Sequence, residues 1–358
     1  MKICIIGNGL VGLSLAKALV NKNIAVDVFY SKKHIKYDQT RTLGISKSNL
    51  EYFNKNILNI KKILWKIKNI RVNSENFNNK EILNFSNNNS QLFSILQNHK
   101  LYDLLHHKLN KHRLFSFKKN LDLKKLLKLN YKLIINCDFN HDLTKKFFSK
   151  KFEKKYNSFA YITTLDHKKI IQNNTAVQIF TNNGPLAFLP ISNIKTSIVY
   201  SFRSKTSEDK FDFYKLIKKF NPKYQIIKMN GISKFELRSS NLRRYYKDNI
   251  LAFGDLLHKI HPLAGQGFNM SVRDIKELIS LIDDKVNLGL DIDNTVCIDF
   301  QNRTKDKNYL FSKGIDWIYE FFNLDSKIKN DVFSRYINFI SKNKLINGFL
   351  KKIADTGI

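Results

Sequence analysis

The chain has 358 residues, of which 43% are hydrophobic and 13% are aromatic. That proportion of apolar side chains can bury a large core, so the composition excludes a disordered or fibrous protein. The length allows one large domain or two. The formal net charge is +32, from 62 Lys and Arg against 30 Asp and Glu.

The basic charge first suggests nucleic acid or an anionic membrane as a partner. No zinc-finger spacing or RNA-binding signature accompanies it, and the Lys excess is spread along the whole chain together with abundant Asn and Ile. Because these three residue types share A/T-rich codons, we attribute much of the charge to compositional bias. We expect no nucleic-acid partner.

Cysteine use and hydropathy indicate a soluble or peripheral protein in a reducing compartment. Cys4, Cys137 and Cys297 are too few and too scattered for a disulfide framework or a metal site, so we expect no metal. The apolar N-terminus is interrupted by glycines and lacks the cleavage site of a signal peptide. No window reaches the roughly 18 uninterrupted apolar residues of a membrane-spanning helix. The expected location is the cytoplasm.

The predicted elements alternate at the front of the chain. Residues 2–6 form a buried strand, Leu10–Val20 form a helix with apolar residues at three- and four-residue spacing, and residues 25–30 form a second strand. This order is typical of a dinucleotide-binding unit. A polar loop is expected at Asn73–Asn89, followed by a helix at Gln97–Leu109.

The second half begins with another buried strand at Tyr131–Cys137. Between about 158 and 240, period-two segments predict an antiparallel sheet with one face covered. A strand at Ile250–Phe253 leads through a glycine-containing loop into a helix at Phe268–Ile282, and helical patterns dominate afterwards.

We therefore predict an α/β fold, in which a Rossmann-like nucleotide-binding domain is interleaved with an antiparallel-sheet substrate domain. The nucleotide-binding domain is expected to be discontinuous, at 1–157 and 246–297. The sheet domain is expected at 158–245, and a C-terminal helical segment at 298–358.

The first glycine motif lies in the βαβ unit. Gly7, Gly9 and Gly12 fit G-x-G-x-x-G directly between a strand and a helix. Gly7 permits the tight turn, Gly9 lets the backbone approach a pyrophosphate, and Gly12 allows close helix–strand packing. The acid expected at the end of the second strand, which would hold a ribose hydroxyl, is absent. Tyr30 and Ser31 stand there instead.

The most informative stretch runs from Gly254 to Asp274 and reads GDLLHKIHPLAGQGFNMSVRD. A predicted strand ends at Asp255, whose carboxylate can accept hydrogen bonds from a polyol. A proline-containing loop follows, and Gly-Gln-Gly opens a helix whose free N–H groups favour negative charge. A metal site built from His258 and His261 would lack a nearby third ligand.

This stretch resembles the second FAD motif, G-D-x-x-H-x-x-x-P-x-x-G-Q-G-x-N-x-x-x-x-D, of the FAD-dependent aromatic hydroxylases (the para-hydroxybenzoate hydroxylase-like flavin monooxygenases). Its variant at His261–Met270 is similar to the ubiquinone-biosynthesis subgroup. Arg41–Ser46 resembles the R-x-x-A-L-S segment of that subgroup, and Gly184–Pro190 resembles its G-P-x-A-x-L-P strand. Lys100 falls where the family has a flavin-contacting arginine. The similarity runs from residue 1 to about 310.

The resemblance implies a single-chain hydroxylase that binds FAD, uses NAD(P)H as co-substrate, and transfers one oxygen atom of O₂ to an electron-rich aromatic ring. Its substrate would be a lipid-like prenylated phenol or quinol of ubiquinone biosynthesis. No side chain in the sequence identifies itself as a catalytic acid or base, so the catalytic residues are unknown at this point.

The resemblance also assigns site residues. Asp255 would hold the ribityl chain of FAD, and the backbone at Gly265–Gly267 would face the pyrimidine edge of the flavin. The full set of implied cofactor-binding residues is Gly7, Gly9, Leu10, Val11, Gly12, Arg41, Lys100, Asp138, Gly254, Asp255, Pro262, Gly265, Gln266, Gly267 and Asn269. The implied substrate-lining residues are Phe180, Leu186, Phe188 and Pro190.

The chain departs from the family pattern at several positions. A middle Asp-Gly motif appears here as Asp138-Phe139, and Phe does not easily take the backbone conformations open to Gly, so we expect a different local turn. Leu256-Leu257 replaces a small pair, and Ser271 replaces a glycine. These changes bear on nicotinamide-driven reduction more than on FAD binding.

The C-terminal segment Ser326–Lys352 has apolar residues at near-helical spacing, with Lys and Arg between them. Two interpretations stay open. The helix packs on its own domain, or it contacts anionic lipid or a protein of a biosynthetic complex. Peripheral attachment to the inner membrane would suit a substrate that carries an isoprenoid tail.

Two functions other than hydroxylation also stay open. One keeps the flavin scaffold and reduces or cyclises an isoprenoid. The other is a degenerate FAD-binding scaffold that serves as a subunit of a ubiquinone-biosynthesis complex. The departures at Tyr30 and Phe139 favour the scaffold over the reductase, whereas the Gly184–Pro190 strand favours the hydroxylase.

Overall fold

The computed structural model of the protein describes residues 2–35, 37–86, 91–203, 211–262, 265–328 and 344–357. The helices α1 to α9, in chain order, span Leu10–Asn21, Lys47–Tyr52, Asn98–Asn110, Leu123–Leu127, Asp142–Phe147, Phe213–Phe220, Gln266–Asn287, Asn294–Ile328 and Lys344–Thr356. The strands β1 to β18 span Lys2–Ile6, Ala25–Tyr30, Thr42–Ser46, Trp65–Ile67, Asn69–Ser74, Glu81–Ser86, Phe93–Gln97, Phe115–Lys119, Leu133–Asn136, Lys151–His167, Thr175–Thr181, Gly184–Pro190, Lys195–Arg203, Ile226–Met229, Ser233–Leu242, Tyr246–Lys247, Ile250–Ala252 and His258–Lys259.

A six-stranded sheet forms the first layer, in the order β16-β17-β9-β1-β2-β8. All of its pairings are parallel except β16 with β17. Strand β1 is buried from Ile3 to Ile6, as expected for a parallel strand that is covered on both faces. The predicted α/β fold class is confirmed, and the chain returns to this sheet through β9 and β17 after long excursions.

A buried carboxylate ties the edge of this sheet together. Asp27 of β2 accepts hydrogen bonds from the Ser116 hydroxyl at 2.5 Å and from the Tyr131 hydroxyl at 2.6 Å. The ammonium groups of Lys118 and Lys2 lie 2.6 and 3.2 Å from it. Burial alone would raise the pKa of Asp27, but these partners lower it to about 2. The acid of β2 thus serves the interior of the sheet rather than its end.

A nine-stranded sheet forms the second layer. Its main order is β18-β15-β10-β13-β12-β11-β5-β6, and β14 pairs with β10. All pairings are antiparallel except β11 with β5, so the predicted antiparallel sheet is present. The sheet also contains β5 and β6, which lie outside the predicted range 158–245. The proposed domain boundaries stay a prediction.

The predicted polar loop at Asn73–Asn89 is wrong where the structure describes it. Residues 81–86 form β6, which pairs with β5, and Ile82 within it is fully buried. Its apolar residues Ile82, Leu83 and Phe85 belong to one apolar cluster, while its polar residues are exposed. The three apolar residues form no regular period-two pattern, and they lie in an asparagine-rich stretch.

The described residues after 293 are almost entirely helical, as predicted. Helix α8 is 35 residues long and packs along α7. Of the predicted amphipathic segment Ser326–Lys352, residues 329–343 lie outside the described residues. In the described part of the chain, none of the helices combines the length and apolar character needed to cross a membrane.

Candidate cofactor site

The glycine-rich turn between β1 and α1 is packed against the segment that follows β9. Gly7 has φ +99°, a conformation that favours glycine, and a Cβ there would lie 3.3 Å from the backbone nitrogen of Asp138. A Cβ at Gly12 would lie 2.3 Å from the carbonyl oxygen of Gly7. Both glycines are therefore required by the protein's own packing.

Two other glycines of the motifs have no such internal requirement. Gly9 has φ −73° and ψ 177°, which any residue adopts, and a Cβ there would come no closer than 3.7 Å, to the hydroxyl of Tyr37. A Cβ at Gly267 would meet no atom within 4 Å. Each lies at the start of a helix, where N–H groups lack intrahelical partners and favour an anion. Open space beside such backbone fits a cofactor that approaches closely.

The segment that follows β2 folds over the first glycine motif. The Asn8 amide donates to the carbonyl oxygens of Lys32 and Lys33, at 2.9 and 3.1 Å. The Tyr37 hydroxyl accepts a hydrogen bond from the backbone N–H of Leu10 at 3.2 Å. A phenol therefore lies at the start of α1.

The first residue of the second motif lies in contact with the first motif. Gly254 has φ +65°, and a Cβ there would lie 2.9 Å from Cγ1 of Val11 in the first turn of α1. The adjacent Asp255 is exposed to solvent. The fold thus brings both predicted motifs, and the backbone of Asp138, to the carboxyl ends of β1, β9 and β17, where doubly wound folds bind their ligands.

Asp255 shares this cleft with a cation and a phenol. Desolvation by the surrounding protein raises the pKa of its carboxyl group, while the charges of His258, Lys259 and Arg41 oppose the rise. Burial raises the pKa of Tyr37 to about 12, and the charge of Asp255 adds to that rise. At neutral pH the phenol therefore carries its proton and can act as a hydrogen-bond donor.

The start of α7 is fixed by the carboxamide of Asn269, which is fully buried. Its amide nitrogen donates to the carbonyl oxygens of Gly44 and Gly265, at 3.2 and 3.1 Å. Its oxygen accepts from the Ser46 N–H at 2.9 Å and from the Asn49 amide at 3.2 Å. Because these four bonds use the capacity of the carboxamide, Asn269 shapes the site rather than offering a side chain to a ligand.

An aromatic ring that the sequence did not single out lies beside these residues. A Cβ at Gly44 would lie 2.0 Å from Cζ of Phe93, and a Cβ at Gly265 would lie 3.4 Å from the same atom. Phe93 belongs to an apolar cluster that also includes Trp65 of β4 and Leu189 of β12. An apolar wall therefore runs from the start of α7 to β12 of the nine-stranded sheet.

Arg41 and Lys100 lie on adjoining segments. The guanidinium of Arg41 stacks 4.7 Å from the ring centre of Phe235, and its carbonyl accepts the Asn98 N–H at 3.1 Å. Lys100 lies exposed in the first turn of α3. Their predicted contacts with FAD stay predictions, as do those of the remaining motif residues.

Two histidines of the second motif have structural partners. His258 Nε2 lies 2.5 Å from the Asp274 carboxylate, whose other oxygen accepts the Asn308 amide at 2.9 Å. The ring of His261 lies 4.9 and 4.4 Å from the ring centres of Tyr156 and Tyr319. The His258–Asp274 contact joins the two ends of the second motif. The two ring contacts hold His261 at the end of the described residues that precede 263.

Gln266 is buried, and its amide donates to the carbonyl of Ala354 at 3.2 Å. Pro262 is half-buried on the other side of the loop. Phe139 lies in a turn, without a positive φ. The turn that replaces the family's Asp-Gly is thus built without a glycine conformation.

The predicted substrate-lining residues divide between the two faces of the nine-stranded sheet. Phe180 stacks on Phe322 of α8, in a cluster that includes Met270 of α7. Leu186 and Phe188 belong to a different cluster, beneath α6. Pro190 is buried at the end of β12. Only Phe180 is thus placed towards the cofactor half, and the roles of all four stay predictions.

A comparison with protein families addresses the cofactor. Residues 134–286, which include most of β9, seven of the nine strands of the second sheet and the second motif, match the family model described as an FAD binding domain. This part of the chain is similar to that domain. FAD is thus confirmed as the cofactor, as is the resemblance to the flavin-dependent hydroxylases.

The chain is similar to proteins of ubiquinone biosynthesis. It is 23% identical to the ubiquinone biosynthesis monooxygenase COQ6 of Schizosaccharomyces pombe, over 64% of this chain and 58% of that protein. For COQ6 of Dictyostelium discoideum the identity is 24%, over 90% and 85%. For the 3-demethoxyubiquinol 3-hydroxylase of Escherichia coli it is 28%, over 41% and 39%. Two of these matches span well under two thirds of the relative's length.

Solved structures share the fold. The p-nitrophenol 4-monooxygenase PnpA of Pseudomonas putida superposes with a TM-score of 0.80 at 12% identity, over 99% of this chain and 98% of that one. Klebsiella pneumoniae HpxO, solved with FAD and uric acid, gives a TM-score of 0.74 at 12% identity, over 99% and 96%.

Substitutions at Gly9, which has open space beside it, and at Gly12, which is closely packed, should have different effects on FAD binding and stability. Gly9→Val should weaken FAD binding at least about tenfold, because a side chain there blocks backbone hydrogen bonds worth about 1.5–3 kcal/mol. The melting temperature of the apoprotein should change little. Gly12→Ala should lower that melting temperature, because its Cβ overlaps Gly7. Full FAD occupancy in Gly9→Val would contradict the assignment; fluorescence titration with FAD and thermal melts measure both effects.

The buried His261 predicts a pH-dependent stability. Burial lowers its pKa to about 3, so between about pH 6.5 and 3 the unfolded state binds a proton that the folded state does not. Stability should therefore fall as the pH falls, by about 2 kcal/mol from pH 7 to pH 5. Urea unfolding should show this loss in the wild type and in a His107→Phe control at an exposed site. His261→Phe should lack it; an unchanged pH dependence in that variant would refute the assignment.

Proposed function

We propose that this protein is an FAD-dependent monooxygenase that hydroxylates the aromatic ring of a prenylated phenol or quinol in ubiquinone biosynthesis. NAD(P)H and O₂ would be its co-substrates. The observation that carries the proposal is the meeting of the two glycine motifs at one cleft, where a Cβ at Gly254 would touch Val11. The names of the relatives in yeast, slime mould and bacterium support the substrate class.

The chain's own groups would divide the work in this cleft. FAD, when bound, supplies the redox chemistry that activates O₂. The N–H groups at the start of α1 would hold its pyrophosphate, and the carboxylate of Asp255 would accept hydrogen bonds from its ribityl hydroxyls. The open backbone at Gly267 would face the flavin ring. The apolar wall of Phe93 and Leu189 would exclude water from the aromatic substrate.

A second candidate is a scaffold subunit that binds FAD without turnover. Two observations favour it. The Tyr37 hydroxyl takes the Leu10 N–H that a pyrophosphate oxygen would use, and the ribose-binding acid is missing at Tyr30. Such a subunit would serve a biosynthetic complex rather than catalyse a step.

Isotope labelling separates the two candidates. With ¹⁸O₂, NADPH or NADH, and a short-tailed demethoxyubiquinol, we expect the lipid product to gain one labelled oxygen atom in mass spectrometry. A heat-inactivated sample with the same additions is the control. Label that arrives from H₂¹⁸O, or flavin that is reduced without any mass gain, would reject hydroxylation and favour the scaffold or a reductase.

The same proposal places the protein at the surface of the membrane that holds its lipid substrate. Exposed apolar side chains lie along α8, with Trp317 72% exposed, Leu310 54% and Leu324 52%. Tryptophan at an interface inserts its ring among the headgroups, and a net charge of +32 attracts anionic lipid. We therefore propose reversible, peripheral attachment of a cytoplasmic protein to the inner membrane.

Vesicle sedimentation tests the attachment. Binding to anionic vesicles should fall steeply between 0.1 M and 1 M salt, where the Debye length shrinks from about 10 to about 3 Å. Trp317→Ala should weaken it several-fold, whereas Ile171→Ala, at an equally exposed site away from α8, should not. Equal binding to neutral and anionic vesicles would mean that the charge does not direct the protein to membranes.

A further inference from the structure

The last helix of the chain ends on the cofactor half. The carbonyl oxygen of Asp355, in the final turn of α9, accepts hydrogen bonds from the hydroxyls of Ser46 and Ser48, at 2.8 and 2.9 Å. The Asp355 carboxylate accepts the backbone N–H of Ser48 at 2.8 Å. One residue earlier, the carbonyl of Ala354 accepts the Gln266 amide. Helix α9 therefore contacts both β3–α2 and the start of α7.

Asp355 supplies a cap that helix α2 does not supply itself. Ser46 occupies the N-cap position of α2, but its hydroxyl makes no cap hydrogen bond within that helix, because it donates to Asp355 instead. The Asp355 carboxylate takes over this role at the N–H of Ser48. A negative charge at a helix N-terminus is favourable, so the contact is stronger than a neutral one.

These bonds continue without a break to the backbone of the predicted flavin-facing loop. The Asn49 amide donates to the Ser46 hydroxyl at 2.9 Å and to the Asn269 oxygen at 3.2 Å. Asn269 in turn holds the carbonyls of Gly44 and Gly265. A hydrogen-bonded chain therefore connects α9 to the N-cap of α7.

Further contacts hold the end of α9 in place. Gly357 approaches Arg273 of α7 so closely that a Cβ would lie 3.0 Å from Nε. Burial lowers the pKa of Arg273 to about 10, and the charges of Asp274 and Asp355 oppose that decrease. Ile353 packs on the cluster that contains Phe180 of the substrate sheet. The helix end is therefore held by charge, by close backbone contact and by apolar packing.

We propose that Asp355 is a positioning residue of the cofactor site. Through Ser46, Ser48 and Asn269 it sets the separation between β3 and the start of α7, and FAD affinity depends on that separation. The inference rests on the proposed seat of the flavin ring at Gly265–Gly267. It does not require that the protein hydroxylates a substrate.

Three variants of the full chain test this. Asp355→Ala removes the carboxylate that caps α2 at the Ser48 N–H and leaves the bonds of the backbone carbonyl in place, and we expect a three- to tenfold rise in the Kd for FAD. Asp355→Asn keeps an oxygen that can accept the Ser48 N–H, so it should restore most of the affinity. Thr356→Ala is the matched control, because the described bonds of the Thr356 hydroxyl stay within the last residues of the chain. Its affinity should equal that of the wild type.

Two more readouts distinguish positioning from general stability. The absorption band of bound flavin should shift in Asp355→Ala, while the melting temperature of the apoprotein stays within about 2 °C of the wild type. FMN, which lacks the adenylate half, should lose affinity by the same factor as FAD. Equal FAD affinity in Asp355→Ala and the wild type, or a loss confined to FAD, would overturn the inference. Absent hydroxylation with the expected affinities would reject the proposed function alone.

Discussion

The geometry of the cofactor half depends on the hydrogen-bonding capacity of one buried carboxamide. Asn269 has two N–H donors and an oxygen that accepts two bonds, and it spends all four on three separate segments. Leaving any one of these buried partners without its bond would cost about 1–3 kcal/mol. The start of α7 therefore cannot move relative to β3 without that cost, and the cleft between them keeps its shape.

Close contact at glycine positions is the second constraint. It explains why the glycines of the two motifs differ in role. Gly7, Gly12 and Gly254 are fixed by atoms of the protein itself, at distances that leave no room for a side chain. Gly9 and Gly267 meet no such barrier. We therefore propose that Gly9 and Gly267, which lie at the starts of two helices of the cofactor half, are glycines because a ligand approaches them.

The sequence predicted the fold class and the two motifs because both depend on local signals. A buried parallel strand reads as an unbroken apolar run, and a turn between strand and helix reads as glycines at fixed spacing. Strand β6 was missed because its six residues do not alternate regularly and lie in an asparagine-rich stretch. The two-residue repeat of a strand does not tell which of its two faces points towards the cofactor half. Leu186 and Phe188 were therefore grouped with Phe180, although the sheet separates them. Tyr37, Phe93 and Asp355 carry no local motif, and only the folded chain brings them to the cleft.

Gly44 and Phe93 share one space in the interior, although 49 positions separate them along the chain. The Phe93 ring fills the space that a side chain at position 44 would need. Where the resembling segment R-x-x-A-L-S carries alanine, this chain carries glycine, so the ring has gained the room that a methyl group would have occupied. In a well-packed interior such exchanges are tolerated when total volume is conserved. A homologue with alanine at the first position should therefore carry a smaller residue at the second, and the two substitutions would be inherited together.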